Sequence, residues 1–495
     1  MGYSGQRVYA ATRYVARGVI MRFLLPTVLL ACTGEADLPG SHTGGVEDSG
    51  ALEPEACGYT PAPDLDAAEG VVEVDLTASA FPWDPGTGVP LTEGVAYNES
   101  VPGPLIEANV GDTIVAHFRN DLSEPLTVHW HGIRLASDMD GGMQMMEPIQ
   151  PGETFDYVFT VPDAGFYWYH PHLAGAKLIE RGLHGRLLVH ADDEVPADCD
   201  LPISLDDLLL DEDTLQVAPV DTDMMQLMGR LGNVLLANGR SDRRVALTAG
   251  QTVLLRLVNP SNARYWDVYV EGQSLQVVAT DGGWIPEPYA AESVVLGPGE
   301  RATVQFTATG SPGEEVRLMN KRFQLHEEGG DMIEYDPLGN GENPVLAFVF
   351  GEGSVAGTPW VQPSVPAMPY SGPTETLGHH WVLEEDMMGG TVTIDGEAWP
   401  NVPVVDVAAG VDTTFEIENK SEMHHPFHIH GNNFQIVAIN GEPPATPQGW
   451  KDTWDIPPRS TVTVVSDLWN PGDWMYHCHI LEHAEDGMMG EMMVE

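Results

Sequence analysis

Residues 151–172 read PGETFDYVFTVPDAGFYWYHPH, and residues 458–479 read PRSTVTVVSDLWNPGDWMYHCH. Each holds a short run rich in Thr, Val and aromatics (TFDYVF at 154–159, TVTVVS at 461–466) that is bounded by Pro and Gly, the signature of a β-strand. Each then turns at a glycine into an aromatic stretch ending in paired histidines: Gly165 to His170 is five positions, and Gly472 to His477 is also five. Upstream the match continues. GDTIVAHFRND (111–121) leads to HWHG (129–132), and GVDTTFEIENK (410–420) leads to HIHG (428–431). Asn120 to Gly132 and Asn419 to Gly431 both span twelve positions. A third copy of the frame, AGQTVLLRLVNPSNARYWDVYVEG (249–272) followed by GPGERATVQFTA (297–308), has no histidine at the matching places. Self-similarity of this kind marks repeated structural units. Short punctuated strands throughout predict an all-β chain of three consecutive β-sandwiches. The expected units are 57–192, 199–352 and 376–495, with 353–375 a Pro/Gly-rich linker.

Composition agrees with several domains and narrows the function. A chain of 495 residues exceeds one ordinary core, and 42% hydrophobic content makes it globular. Its 22 Lys+Arg against 74 Asp+Glu give a net charge of −52, with only four lysines. Binding phosphates needs a basic patch, so a nucleic-acid partner is excluded. The acidity suits solubility in a saline habitat and draws in cations.

Residues 1–32 read as an export signal rather than as fold. Arg7, Arg13, Arg17 and Arg22 precede FLLPTVLLA, which is too short to span a bilayer, and Cys32 follows. LLAC at 29–32 resembles a lipobox, so Cys32 is expected to be lipidated and to start the mature chain; an ordinary signal peptide is the alternative. Met21 is a second possible start. Residues 33–56 are Gly-, Ser- and acid-rich and read as a tether. The expected location is the cell envelope, periplasm or outer membrane, with membrane contact only through that lipid. In an oxidising compartment the remaining cysteines, Cys57 and Cys199, either pair or stay as two thiols.

Histidines separated by one residue on a strand face the same way. HWHG, HPH, HIHG and HCH therefore each aim two imidazoles together, and four such pairs exceed what a zinc site uses. Between His477 and His479, Cys478 points to the opposite face. With His425, His483 and a weak axial Met488 it completes the His2Cys set of a blue copper centre. By the internal alignment Cys478 corresponds to Pro171, His425 to Leu126, His483 to Ala176 and Met488 to Arg181, so the first unit cannot copy this site.

The four segments closely resemble the copper-binding signatures of multicopper oxidases, over roughly residues 60–495, and the layout resembles three-domain laccases. The resemblance implies three cupredoxin-like Greek-key sandwiches and four copper ions per chain. It implies type 1 copper on His425, Cys478, His483 and Met488, and type 2 copper on His129 and His428. One type 3 copper would take His131, His170 and His479, and the other His172, His430 and His477. Exchanging repeat partners turns one type 3 set into the other, as a pseudo-twofold interface requires. The implied activity is laccase-like: one-electron oxidation of phenolic or aromatic reductants, entering by the outward edge of His483 and crossing Cys478, coupled to reduction of dioxygen to water. A metallo-oxidase acting on Cu(I) in copper tolerance is the alternative, and a non-catalytic cupredoxin-like copper carrier a third reading. A copper nitrite reductase would have two such domains and lack the paired histidines. A monomer is expected.

Other residues carry weaker signals. Asp140, nine residues after His131, matches an acidic residue the family places beside its cluster; it is a candidate proton relay or a turn residue. Relatives often have Glu after the last type 1 histidine, but here Ala484 comes first and Glu485 next, which puts a second proton donor in doubt. Met139, Met143, Met145 and Met146 read as packing, or as soft Cu(I) ligands. Met489, Met492 and Met493 read as core and His424 as structural, while His117, His184 and His326 have no partner visible in the sequence.

Overall fold

The computed structural model describes residues 53–143, 145–219, 223–326, 336–386, 390–447 and 449–495. The expected signal peptide and lipid site, and all but the last residues of the expected tether, lie outside the described residues. Six sheets fall into three pairs along the chain. In the first sandwich Val71–Ala80 runs parallel to Thr113–Asn120, which pairs antiparallel with Thr154–Thr160. In the last, Thr376–Asp386, Thr413–Asn419 and Ser460–Ser466 repeat that order, and in the middle one Cys199–Leu208, Thr252–Val258 and Arg301–Thr307 do so again. Alternation builds each core: in Thr113–Asn120 the residues Ile114, Ala116 and Phe118 are buried and their neighbours are not.

The same corner closes each unit. Asn120 donates to Glu124 O and Ile149 O and accepts from the Leu122 amide. Asn419 does this with Met423 O, Ile456 O and the Ser421 amide, and Asn259 with Arg264 O, Leu296 O and the Ser261 amide. The carboxamide satisfies backbone groups that a sharp exit from the strand would orphan. It thereby fixes where the histidine strand begins, which is why Asn-to-Gly spacing is equal in the outer units.

Glu55–Ala56, the end of the segment read as a tether, pairs parallel with Val245–Ala246 of the middle sandwich. Cys57 follows and is joined to Cys199 by a disulfide. The start of the described residues is thus tied to the second sandwich.

Candidate metal centre

The paired histidines sit on matching strands. His129 lies opposite His170 where Val128–His131 pairs with Gly165–Pro171, and His428 lies opposite His477 where His425–Ile429 pairs with Gly472–Cys478. The two strand pairs face each other across the seam between the outer sandwiches. His129 stacks on His430 with ring centroids 4.0 Å apart, and His131 on His428 at 3.9 Å. Exchange of repeat partners converts one stack into the other. It also converts the His172–His477 contact, 5.2 Å, into His170–His479, 5.7 Å.

The nitrogens of this cluster are prepared as lone-pair donors. Nδ1 of His129 and His428 donates to the carbonyls of Asp140 and Asp452 at 2.8 and 2.9 Å, and Nδ1 of His170 and His477 donates to those of Pro171 and Cys478 at 3.0 and 2.8 Å. Such bonds fix the tautomer and leave Nε2 free. Nε2 of His129, His170 and His428 is buried with no hydrogen-bond partner, as are both ring nitrogens of His479. The Nε2 atoms of His430 and His172 point at that of His477 from 3.2 and 3.4 Å. Burial pushes the His131, His170, His172, His428, His430 and His479 imidazoles down, and His477 to about 3, so they stay neutral. Unprotonated nitrogens turned toward one another repel unless a cation lies between them, so the donor set fits metal ions. Ligand atoms of His172, His430 and His477 all lie within 4.8 Å of one another, as do those of His129, His131 and His170.

Cys478, fully buried, faces the other way. Its Sγ lies 3.5 Å from His425 Nδ1 and 3.6 Å from His483 Nδ1. The outer nitrogens of those rings are held by Ser421 Oγ at 2.9 Å and Leu227 O at 2.8 Å. Burial pushes the thiol up and holds His483 at about 4, so this pocket favours a thiolate only when a bound cation stabilises it. Met488 is buried, its carbonyl accepts from the Cys478 amide and its amide donates to His483 O. The expected outward edge of His483 is not open: the ring has no exposed surface, because the helix Asp223–Met228 lays the Leu227 carbonyl over it.

Two carboxylates support the cluster, and the sequence reading found only one. Asp140 Oδ2 lies 2.7 Å from His430 Nδ1, and Asp452 Oδ1 lies 3.0 Å from His131 Nε2. For both carboxyls burial pushes the pKa up, but His430 and His129 at Asp140, and Arg301 at Asp452, outweigh it and hold them well below the usual range. A cavity of about 380 Å³ reaches the cluster from outside, lined among others by Met143, His170, His172, Trp399, His477 and Glu485. Glu485 accepts from the Ala176 amide at 3.0 Å, and burial raises its pKa.

Several residues that carried weaker signals have packing or ion-pair partners. Met139 and Met146 lie against the first core, and Met143 against Met475, Ala484 and Met489. Met492 is buried and Met493 half-buried on the last strand. His424 is tied to Asp455 at 2.8 Å, and His117 lies between Glu73 and Asp156 at 2.7 and 2.8 Å. His184 is buried with neither ring nitrogen hydrogen-bonded.

Family models described as multicopper oxidase match residues 83–194, 206–318 and 372–495. The chain is 32% identical to multicopper oxidase MmcO of Mycobacterium tuberculosis, over 88% of this chain and 90% of that protein. A multicopper oxidase from Campylobacter jejuni described as a metallo-oxidase is 25% identical, with TM-score 0.76 over 90% of this chain and 96% of that one. A laccase-like multi-copper oxidase from Ochrobactrum sp., described as active on lignin model compounds and lignosulfonate, is 27% identical, with TM-score 0.75 over 89% of this chain and 100% of that one.

Proposed function

The chain belongs to the multicopper oxidase family, and from that premise we propose a laccase-like enzyme that oxidises small phenolic or aromatic reductants one electron at a time and reduces dioxygen to two waters. The observation that carries this reading is the meeting of eight imidazoles, free nitrogens inward, across a pseudo-twofold seam, one peptide unit from a buried thiol flanked by two more imidazoles. Four coppers would be held: type 1 by His425, Cys478, His483 and Met488; type 2 by His129 and His428; one type 3 by His131, His170 and His479, and the other by His172, His430 and His477. When bound, the copper ions supply one-electron redox chemistry and the site where dioxygen takes up four electrons.

The chain's own residues do the rest. Carbonyls of Asp140, Pro171, Asp452 and Cys478 orient four imidazoles. Trp168 stacks on His170 at 4.1 Å and excludes water from that side. Four protons must reach dioxygen with its four electrons. Asp140 offers Oδ1, buried and without a hydrogen-bond partner, as a proton-carrying atom beside His129 and His430. Glu485 stands in the cavity that opens on His172 and His477, where a second carboxyl can take up protons from solvent.

A second reading, oxidation of Cu(I), is supported by Met225 and Met228, two residues before and one after the Leu227 whose carbonyl meets His483; soft thioethers bind Cu(I). The disulfide supports an oxidising compartment, and LLAC at 29–32 supports a lipid anchor at Cys32 in the cell envelope. A cluster completed within one chain supports a monomer.

Metal quantification should return four coppers per chain, and dioxygen uptake should respond to a phenol panel. Full copper content with no uptake on any phenol would overturn the laccase-like reading, and faster uptake on Cu(I) than on every phenol would establish the second.

A further inference from the structure

The pseudo-twofold breaks at one pair of carboxylates. Asp140 and Asp452 are equivalent: the carbonyl of each receives Nδ1–H from the first histidine of its own pair, and the carboxylate of each reaches the second histidine of the opposite pair. Both are buried, at 2% and 1% exposure. Asp140 has an oxygen without a partner. Asp452 has none to spare, because Arg301 grips it with Nη1 on Oδ1 at 2.7 Å and Nη2 on Oδ2 at 2.6 Å.

Arg301 comes from the middle sandwich, the one without a copper ligand. All five of its N–H groups are used. Besides the fork on Asp452, Nε donates to Phe166 O at 3.1 Å, Nη1 to Gly299 O at 3.2 Å and Nη2 to Asp281 O at 3.0 Å. One side chain therefore bonds all three sandwiches. Its charge is balanced in place: Asp281 accepts from the Arg301 amide at 2.7 Å and from Lys451 at 3.0 Å, and Lys451 also reaches Glu300 at 2.8 Å. The chain leaves room for it. Gly132, the glycine of HWHG, has φ +85°, and a Cβ there would run into both Arg301 and Asp452.

We propose that Arg301 is a positioning residue of the histidine cluster: the middle sandwich, through this fork, fixes the Asp452 carboxylate and with it the rings of His131 and His428. A planar bidentate fork sets direction as well as charge, which a lysine ammonium cannot do. His131 Nε2 meets Oδ1 directly at 3.0 Å and His428 Nδ1 lies 3.5 Å from the same oxygen, so a rotation of the Asp452 carboxylate changes the surroundings of both rings.

The inference rests on the copper reading above, and the test separates the two. Full-length, copper-loaded Arg301→Lys and Asp452→Asn would be compared with the unaltered chain by copper count, type 2 paramagnetic resonance and blue absorbance. Partners of metal-bound histidines contribute about 10- to 100-fold in metal affinity. Both variants should lose cluster copper affinity by that factor, with the type 2 signal broadened or missing, while blue absorbance per folded molecule stays unchanged. The residues that would hold the blue copper, His425, Cys478, His483 and Met488, all come from the last sandwich, so a general loss of folding would lower both signals together. Copper count and type 2 signal equal to the unaltered chain in Arg301→Lys overturn the proposal whatever Asp452→Asn does, as does a parallel fall of both signals. If Arg301→Lys does not fold, Arg301→Gln decides, since it keeps a planar donor and removes the charge and the fork. An unaltered chain without copper would instead sink the copper reading itself.

Discussion

Replacing Asp140 with asparagine separates orientation from proton transfer at one position. The native carboxylate holds His430 Nδ1 with Oδ2 at 2.7 Å, and Oδ1 lies 3.4 Å from His129 Nδ1 without a hydrogen bond. Asparagine can keep the first contact with its oxygen, but its NH2 must then occupy the second place. A charge-assisted bond of about 1.5–3 kcal/mol becomes a neutral one of about 0.5–1.5 kcal/mol, a loss of about 1 kcal/mol. The larger effect is chemical, since an atom that can carry a proton becomes one that cannot. General acid–base help contributes about 10²- to 10⁴-fold, and the lower bound corresponds to about 2.7 kcal/mol of barrier. Steady-state dioxygen uptake should therefore fall at least about 100-fold. Anaerobic bleaching of the blue absorbance by substrate should keep its rate, because the His425–Cys478–His483 site lies on the far face of the strand. Copper must be counted in the same samples, since loss of the His430 contact can loosen the cluster about 10-fold. Unchanged turnover at full copper content would refute the reasoning and leave Asp140 as a turn residue that orients His430.

Cys478→Ser should be soluble and colourless, because a hydroxyl does not supply the soft thiolate; a blue variant would disprove the type 1 assignment. Met488→Leu should stay blue with a higher reduction potential, measured by redox titration, since loss of a weak thioether disfavours Cu(II); an unchanged potential would count against an axial role. Stability should also depend on His190. Burial alone would push its pKa down, but Glu107 at 2.8 Å and Glu194 at 3.3 Å outweigh that and raise it to about 9. A raised histidine stabilises fully below its unfolded pKa of about 6.5 and loses that contribution as pH climbs to about 9, a shift worth at most about 3 kcal/mol. The Tm should therefore fall between those values, and His190→Gln should flatten the fall; equal slopes in both proteins would disprove the link.

Most of the centre was legible because strand geometry converts spacing into direction. His129 and His131, or His477 and His479, share a face on any strand, and Cys478 between them must take the other. The repeat then matched partners across units. Asp452 escaped because loops do not keep register: Asp140 receives its histidine bond from 11 positions away, but Asp452 receives the equivalent bond from 24. Alignment by spacing fails across that difference, and only the short strand Thr453–Ile456 after Asp452 hints at its place. Arg301 in GPGERATVQF reads as one more residue of an ordinary strand. The cover on His483 was hidden because Leu227 acts through its backbone carbonyl, an atom every residue has.

The missed contacts made by Leu227 and Arg301 share one property: each joins different sandwiches. Leu227 reaches His483 from 256 positions away and Arg301 reaches Asp452 from 151, both from the unit that holds no ligand. A strand can orient its own side chains, but it cannot fix how two sandwiches meet. Four histidine pairs on two separate units form one cluster only if that seam is held to fractions of an ångström, and imidazoles pushed toward each other without a cation would part it. The seam needs a part that belongs to neither side. Arg301, bonded at once to Phe166 O of the first unit and Asp452 of the last, is placed to be that part, and its burial makes the geometry rigid because an unpaired guanidinium there would be costly. The site around Cys478 needs no such brace, since His425, Cys478 and His483 all come from the last sandwich. From the middle unit it takes the Leu227 carbonyl, which holds the outer nitrogen of His483.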